Sequence, residues 1–351
     1  MKEEEKTDIR GLSFEELKKA FSESGEKPYR ASQLYEWLWQ KSATTFEEMS
    51  NIPKSTREWL AQNYRILPVT IKQTQTSTDK TIKLALELHD GHLVEGVLIP
   101  TKSRMTACIS SQVGCSLSCK FCATGFMERE RNLDAGEIYD QVALINTLSE
   151  KTYGKPLTNI VYMGMGEPLL NYQNMMQSVS HITGEKGLNM SPKRITVSTA
   201  GIGKMICKLA DDGVKFNLAL SLHAANDEKR SQIMPINETN DLDTLQEALN
   251  YFYHNTRNKV TLEYILLNKF NDSLDDAKEL LKFARKVPCK INIIEYNPVA
   301  RSGFTRSLDH MTRDFSTYLE NNGVVVNVRR SRGKDIKAAC GQLANSVHQE
   351  S

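Results

Sequence analysis

The 351-residue sequence is 40% hydrophobic and 25% charged with a formal net charge of +2, a composition suited to a globular protein with one large domain and a smaller one. Near-neutral charge excludes a global field as the basis of any nucleic-acid binding, so such contacts must come from local basic patches. No apolar run approaches the roughly 18 residues of a membrane span, and the first residues lack the apolar core of a secretory signal. A cytoplasmic protein with no membrane partner is expected.

In chain order, residues 12–66 read as helical: apolar residues recur at helical spacing over 12–21, 31–39 and 54–60, separated by Gly25, Pro28 and Pro53. Ser13 followed by Glu16 is a capping-box pattern, and Ser32 is a second expected helix start. Residues 69–100 change period. The runs 69–74, 81–88 and 92–99 alternate apolar and polar residues, and Asp90-Gly91 supplies a hairpin turn. From about residue 105, β-rich runs at 106–110, 159–163, 194–199, 216–222, 260–266 and 291–296 are spaced by helical stretches, the pattern of parallel βα units. Glycines or polar residues follow the apolar part of most runs, as in Gly164-Met-Gly-Glu, Ser198-Thr-Ala-Gly, Ser221-Leu-His and Asn297-Pro. In a βα barrel these are the carboxyl ends of strands, where active sites are built. A seventh run, from residue 324, closes or flanks the barrel. The expected fold is therefore α/β: a helical accessory domain over 1–68, a short β-hairpin linker over 69–100, a partial (βα)6 barrel over 101–345, and a tail over 346–351.

The seven cysteines are Cys108, Cys115, Cys119, Cys122, Cys207, Cys289 and Cys340, an odd number with four inside fifteen residues, unlike a secreted disulfide framework. Cys207 and Cys289 have no partner at a telling spacing and read as packing residues. Cys115, Cys119 and Cys122 fall in an eight-residue loop just after the first barrel strand. Three thiolates are one short of the four that complete an iron-sulfur cluster or close a structural zinc site, and an iron lacking a protein ligand is free to bind substrate.

This spacing, with Phe121 before the last cysteine, resembles the radical S-adenosylmethionine superfamily, in which the open iron of a [4Fe-4S] cluster chelates the amino and carboxylate groups of S-adenosylmethionine. Asn159-Ile-Val-Tyr-Met-Gly-Met-Gly-Glu-Pro is similar to the superfamily's second motif: glycines that permit close backbone approach, then Glu167 for the cofactor's ammonium, with Met165 where glycine is more usual. Together with Ile109-Ser-Ser-Gln-Val-Gly-Cys-Ser-Leu-Ser-Cys-Lys-Phe-Cys-Ala-Thr-Gly, Ser221-Leu-His-Ala, Met234-Pro-Ile-Asn and Ala338-Ala-Cys-Gly-Gln-Leu, the chain resembles the RlmN-type family of dual-specificity RNA methyltransferases over essentially its whole length. The sister family of Cfr type, with the same mechanism, acts at C8 of the same adenine; Val113 and Pro168 favour the RlmN side.

The resemblance implies that an adenosine in 23S rRNA near the peptidyl transferase centre, and the adenosine 3′ of certain tRNA anticodons, become 2-methyladenosine. It implies cofactor contacts by Gly166, Glu167, Ser198, Ser221, Leu222, His223 and Asn297, and cluster ligation by Cys115, Cys119 and Cys122. Carbon 2 of adenine is electron-poor and cannot attack a methyl sulfonium directly, whereas a thiolate can. The family pattern accordingly makes Cys340 the carrier of an S-methyl group, Cys108 the thiol that resolves the protein–RNA adduct by a disulfide with Cys340, and Glu95 the acceptor of the C2 proton. An electron donor such as flavodoxin or ferredoxin is implied, and a monomer is the default. Taken alone, Cys340 reads as a buried helix-end cysteine, Glu95 as a solvated strand residue and His223 as a core histidine. The basic run Arg329, Arg330, Arg332, Lys334 is the best candidate for holding RNA phosphate beside Cys340. Trp37, Trp39 and Trp59 read as core or as base-stacking residues, accompanied by Lys27, Arg30, Lys41, Lys54 and Arg57. A competing reading from another class is a non-enzymatic RNA-binding protein with a structural metal.

Overall fold

The computed structural model describes residues 6–344. Strand β1 (Thr7–Asp8) leads into helices α1 (Phe14–Glu23), α2 (Tyr29–Trp39) and α3 (Lys54–Asn63), and β2 (Tyr64–Arg65) returns to pair with β1 in parallel. The Ser13–Glu16 capping box forms as expected. Helix α2 starts at Tyr29 behind Pro28, three residues before Ser32, because proline's fixed φ suits a helix start where no N–H partner is needed. Leu17, Phe21, Leu34, Leu38, Trp39 and Leu60 are buried and make the core of this module.

Next come β3 (Thr70–Thr76), β4 (Ile82–Glu87), β5 (Leu93–Pro100) and β6 (Met105–Cys108), then the two-residue ladder β7 (Gln112–Val113) and β8 (Arg131–Asn132), whose strands bracket the cysteine loop. The βα units follow: α4 (Ala135–Tyr153), β9 (Asn159–Tyr162), α5 (Tyr172–Thr183), β10 (Ile195–Thr199), α6 (Gly203–Asp211), β11 (Asn217–Ser221), α7 (Asp227–Ile233), α8 (Leu242–Thr256), β12 (Val260–Leu266), α9 (Leu274–Ala284), β13 (Cys289–Glu295), α10 (Asp309–Asn321) and β14 (Val326–Arg329). One ten-stranded sheet contains them in the order β14-β13-β12-β11-β10-β9-β6-β5-β4-β3. It is parallel from β6 through β14 and antiparallel from β3 through β6.

All six expected barrel strands are present, and the seventh run is β14, flanking β13 in parallel. The strands of 69–100 extend this same sheet. β4 and β5 are buried along both faces, more than their alternating sequence indicates; α4 packs on β5, and the carboxyl-terminal segment meets β5 at Glu95. Gly96 faces Ile145 of α4, while the adjacent Glu95 turns to the opposite face and accepts a hydrogen bond from the Ala344 N–H at 2.9 Å.

The amino-terminal module docks on α4 and α5 through buried polar contacts. Arg10 pairs with Asp140 at 2.7 Å, Asp140 also accepts the Val69 N–H at 3.0 Å, and Trp39 stacks on His181 with centroids 3.6 Å apart. Trp39 is fully buried and Trp59 packs on Phe21, so the tryptophans serve first as core. Trp37, half-buried, carries the Lys41 ammonium over its ring at 3.8 Å.

Candidate active site

The loop holding Cys115, Cys119 and Cys122 folds tightly on itself. A Cβ at Gly125 would lie 2.4 Å from the Cys119 carbonyl oxygen, so the turn requires glycine there. The Leu117 N–H is directed at the Cys115 sulfur, and the Thr124 and Gly125 N–H groups at that of Cys122. Burial pushes the Cys115 thiol up to about 11 and raises Cys119 and Cys122 as well. Protein alone therefore keeps these thiols protonated, and a bound metal would deprotonate them. Among the described residues, no three His, Cys, Asp or Glu side chains are gathered tightly enough to hold a single metal ion. The three thiols instead line one cavity with N–H donors aimed at sulfur, which fits a polynuclear cluster with one thiolate per iron.

That cavity, of about 160 Å³, is also lined by Gly166, Glu167, Ser198, Ser221 and His223 from the strand ends, and by Cys340. Gly166 has φ +92° and a Cβ there would sit 2.5 Å from the Gln112 Cβ. The Glu167 N–H donates to Gln112 Oε1 at 2.8 Å, while its carboxylate accepts the N–H groups of Leu169 at 3.1 Å and Ala200 at 2.8 Å. Burial nevertheless pushes Glu167 up to about 7. Ser198 Oγ donates to the Tyr162 carbonyl at 2.9 Å.

His223 adopts a left-handed φ of 57°, held by Asn271, whose amide donates to the His223 carbonyl at 2.6 Å. The Ile265 N–H donates to His223 Nδ1 at 3.1 Å, so the neutral ring carries its proton on Nε2. Burial drives this imidazole down to about 3, keeping it neutral.

Four expected residues do not line the cavity: Leu222, Asn297, Glu95 and Cys108, the last of which lies in a neighbouring one. Leu222 is fully buried, its N–H donating to the Glu263 carbonyl at 3.0 Å. Asn297 Nδ2 donates to Ser331 Oγ at 2.8 Å and to the Cys340 carbonyl at 3.4 Å, so it supports the Cys340 loop. Glu95 is 1% exposed, which rules out the solvated-strand alternative, and it pairs with Lys83 at 3.3 Å while holding Ala344.

Cys340 follows a short 3-10 turn, Lys334–Ile336, and is not the buried helix-end residue that the isolated motif allowed. It is accessible from the cavity yet surrounded by protein, so desolvation raises its thiol. Its loop is pinned from several sides: Ala123 N–H donates to the Gly341 carbonyl at 2.7 Å, Thr124 Oγ1 to the Leu343 carbonyl at 2.6 Å, and the Gly333 N–H to Asp79 at 3.0 Å. A second cavity of about 130 Å³ contains both Cys108, at the end of β6, and Cys340. Both are free thiols, and burial pushes Cys108 up to about 12. Cys207 and Cys289 are half-buried against the core, the packing role their spacing indicated.

Two residues of the site escaped the sequence reading. Arg230 is fully buried and ties the strand ends together, donating to the carbonyls of Leu222 at 3.1 Å and Ala200 at 2.6 Å and to Asn237 Oδ1 at 2.7 Å. Glu263 lines the main cavity; its Oε1 accepts from Asn292 at 2.8 Å, but Oε2 has no hydrogen-bond partner among the described residues and lies 3.8 Å from Arg329. A carboxylate inside the apolar run Val-Thr-Leu-Glu-Tyr-Ile-Leu was the available signal.

Residues 7–66 match the family model described as the ribosomal RNA large subunit methyltransferase N-terminal domain, and residues 109–284 match the radical SAM superfamily. The chain is 60% identical over 336 residues to a probable dual-specificity RNA methyltransferase RlmN of Cytophaga hutchinsonii, covering 96% of this chain and 92% of that one. It is 44% identical over 347 residues to the dual-specificity RNA methyltransferase RlmN of Nitratidesulfovibrio vulgaris, covering 97% and 94%. The crystal structure of a radical SAM methyltransferase from Sphaerobacter thermophilus superposes with a TM-score of 0.91 at 38% identity, over 96% of this chain and 99% of that one. The superfamily match assigns the site its cofactors, a [4Fe-4S] cluster and S-adenosylmethionine. With both domains matched and near full-length identity well above a third, the chain belongs to the RlmN family of dual-specificity RNA methyltransferases, within the radical S-adenosylmethionine superfamily.

Proposed function

We propose that this protein forms 2-methyladenosine in 23S rRNA and in tRNA, with Cys340 as the methyl carrier. The observation supporting this reading most directly is that Cys340 shares one cavity with the three-cysteine loop and another with Cys108. Cys115, Cys119 and Cys122 would hold the cluster, and Gly166, Glu167, Ser198, Ser221 and His223 the S-adenosylmethionine, with Leu222 and Asn297 contributing through the backbone and loop they support. When bound, the cluster supplies the electron that splits S-adenosylmethionine and yields the hydrogen-abstracting adenosyl group. The Cys340 thiolate would first take a methyl group from one S-adenosylmethionine, releasing S-adenosylhomocysteine; after a second is split, loss of one hydrogen from that S-methyl group leaves a carbon radical that adds to adenine C2. Glu95 accepts the C2 proton, which requires its carboxylate to leave Ala344. Cys108 would then attack the Cys340 sulfur, so that the S–CH2 bond to the base breaks as the disulfide forms; the freed CH2 carbon takes up a proton to become the methyl group, the adduct's unpaired electron passes to the electron carrier, and the disulfide is reduced before the next turnover.

The chain organisation that accompanies this reading is an accessory RNA-binding domain over 1–68, a β segment over 69–100 and the catalytic core over 101–345. A flavodoxin or ferredoxin would supply electrons to a cytoplasmic monomer. Among the described residues, no helix is long and apolar enough to cross a membrane. The test is anaerobic incubation of reconstituted protein with S-adenosylmethionine, reductant and unmodified 23S rRNA or tRNA, followed by nucleoside mass spectrometry. 2-Methyladenosine is expected. A product containing only 8-methyladenosine would move the activity to the Cfr-type position, and cofactor cleavage without RNA methylation would overturn the substrate assignment.

A further inference from the structure

Beside the catalytic cavity lies a larger one, of about 500 Å³, between the carboxyl ends of β13–β14 and helix α10. Its cations come from two directions. From α10 and the loop before it come Arg306 and Arg313; from the end of β14 come Arg329, Arg330 and Lys334. On α10, Asp309, Thr312, Arg313 and Ser316 fall at i, i+3, i+4 and i+7, so a single helix face borders the cavity.

The ion pairs divide these cations into two groups. Arg306 bridges Glu295 at 2.7 Å and Asp309 at 2.6 Å, Lys334 binds Glu295 at 2.6 Å, and Arg329 lies 3.8 Å from Glu263. Arg332, from the same basic run, points away to Asp79 at 3.7 Å. Of the run that the sequence singled out, therefore, only Arg330 lacks a carboxylate partner among the described residues. Arg313, distant in sequence, is likewise unpaired among the described residues and opens into the same cavity. Two free guanidinium groups thus converge on one cleft. Arg329 also borders the cavity that contains Cys340 and the cysteine loop, which places the cleft next to the site of chemistry.

We infer that this cleft binds the phosphate backbone of the substrate RNA next to the target adenosine, with Arg313 and Arg330 each contacting a phosphate. The inference rests on the RNA methyltransferase reading and deepens it. A base presented to an enclosed site must be unstacked, and its strand must be gripped on the flank; guanidinium forks suit phosphate oxygens, and a volume in the range of small-ligand sites accommodates a sugar-phosphate unit. The two walls belong to different elements, so only a strand passing between them meets both arginines.

The experiment measures binding of unmodified substrate RNA to the holoenzyme as a function of salt, for wild type, Arg313→Gln/Arg330→Gln and the charge-preserving Arg313→Lys/Arg330→Lys. Single-stranded contacts change the log–log salt slope by about 0.7 each, so the Gln pair should flatten it by about 1.4 and weaken binding about 25-fold at 0.1 M salt, while the Lys pair keeps most of the slope. Lys151→Gln/Lys155→Gln, at the opposite end of the sheet ahead of β9, should leave the slope unchanged. Cluster content and thermal midpoint of the Gln pair verify its fold, and Arg313→Gln alone, predicted to flatten the slope by about half as much, serves if the pair folds poorly. A wild-type slope in the Gln pair, with the wild type methylating RNA normally, overturns the cleft and leaves the reading intact. A wild type that cleaves cofactor but neither binds nor methylates RNA overturns both.

Discussion

Replacing Arg10 with Met should undock the amino-terminal module, because Asp140 would lose its counterion while remaining buried. Arg10 is 5% exposed; besides the Asp140 and Asp8 pairs its guanidinium donates to the Leu67 carbonyl, so the change strands a carboxylate and a carbonyl together. Breaking one side of a buried pair costs about 3–5 kcal/mol, and the surviving Val69 N–H contact to Asp140 at 3.0 Å favours the lower end, about 3 kcal/mol. Tryptophan fluorescence during urea unfolding is a direct assay, since all three tryptophans lie in this module and Trp39 stacks on His181 of α5. Asp140→Asn should recover a large part of the loss in the Arg10→Met background, as it removes the stranded charge. Burial already raises the Asp140 carboxyl despite Arg10, and losing the cation raises it further. A folded-state value raised above the unfolded one gives stability that is present at low pH and lost as pH rises through it, so the Arg10→Met deficit should shrink on acidification. A cost below about 1 kcal/mol, or no relief from Asp140→Asn, would refute the counterion argument.

His181, buried and driven down to about 4, remains neutral in the fold but titrates normally when unfolded, so stability is full above about pH 6.5 and declines toward pH 4. Lowering the pH from 7.5 to 5 should cost about 2 kcal/mol through this group, and His181→Phe should remove that component from the urea-midpoint profile. Gly166→Ala combines an unfavourable positive φ with a Cβ 2.8 Å from the Gln112 backbone nitrogen; destabilisation of about 2 kcal/mol or more and loss of S-adenosylmethionine binding in equilibrium dialysis are expected. Cys340→Ala should retain cofactor cleavage but make no methylated nucleoside; methylation at the wild-type rate would rule out the carrier role. In Cys108→Ala, turnover should stall as a covalent protein–RNA species visible as a gel-shifted band, and free product without such a band would remove the resolving role.

Local chemistry made much of this protein readable in one dimension. The three-cysteine spacing, the glycines before Glu167 and the periods of 2 and 3.6 are short-range properties, and they located the cysteine loop, six parallel strands and the helical module. Three-dimensional packing decided what short-range pattern does not encode. Glu95 looked like any outward strand residue, yet the carboxyl-terminal segment crosses its face and buries it beside Lys83. Cys108 and Cys340, separated by more than two hundred positions, meet in one cavity only because the loop after β14 folds back to the cysteine loop. The basic run read as four equivalent cations until Asp79, Glu263 and Glu295, each brought in by a different strand or turn, paired with three of them. Charge in a sequence is additive, but charge in a fold is pairwise and falls steeply with distance, so tertiary structure alone determined which arginines remain free.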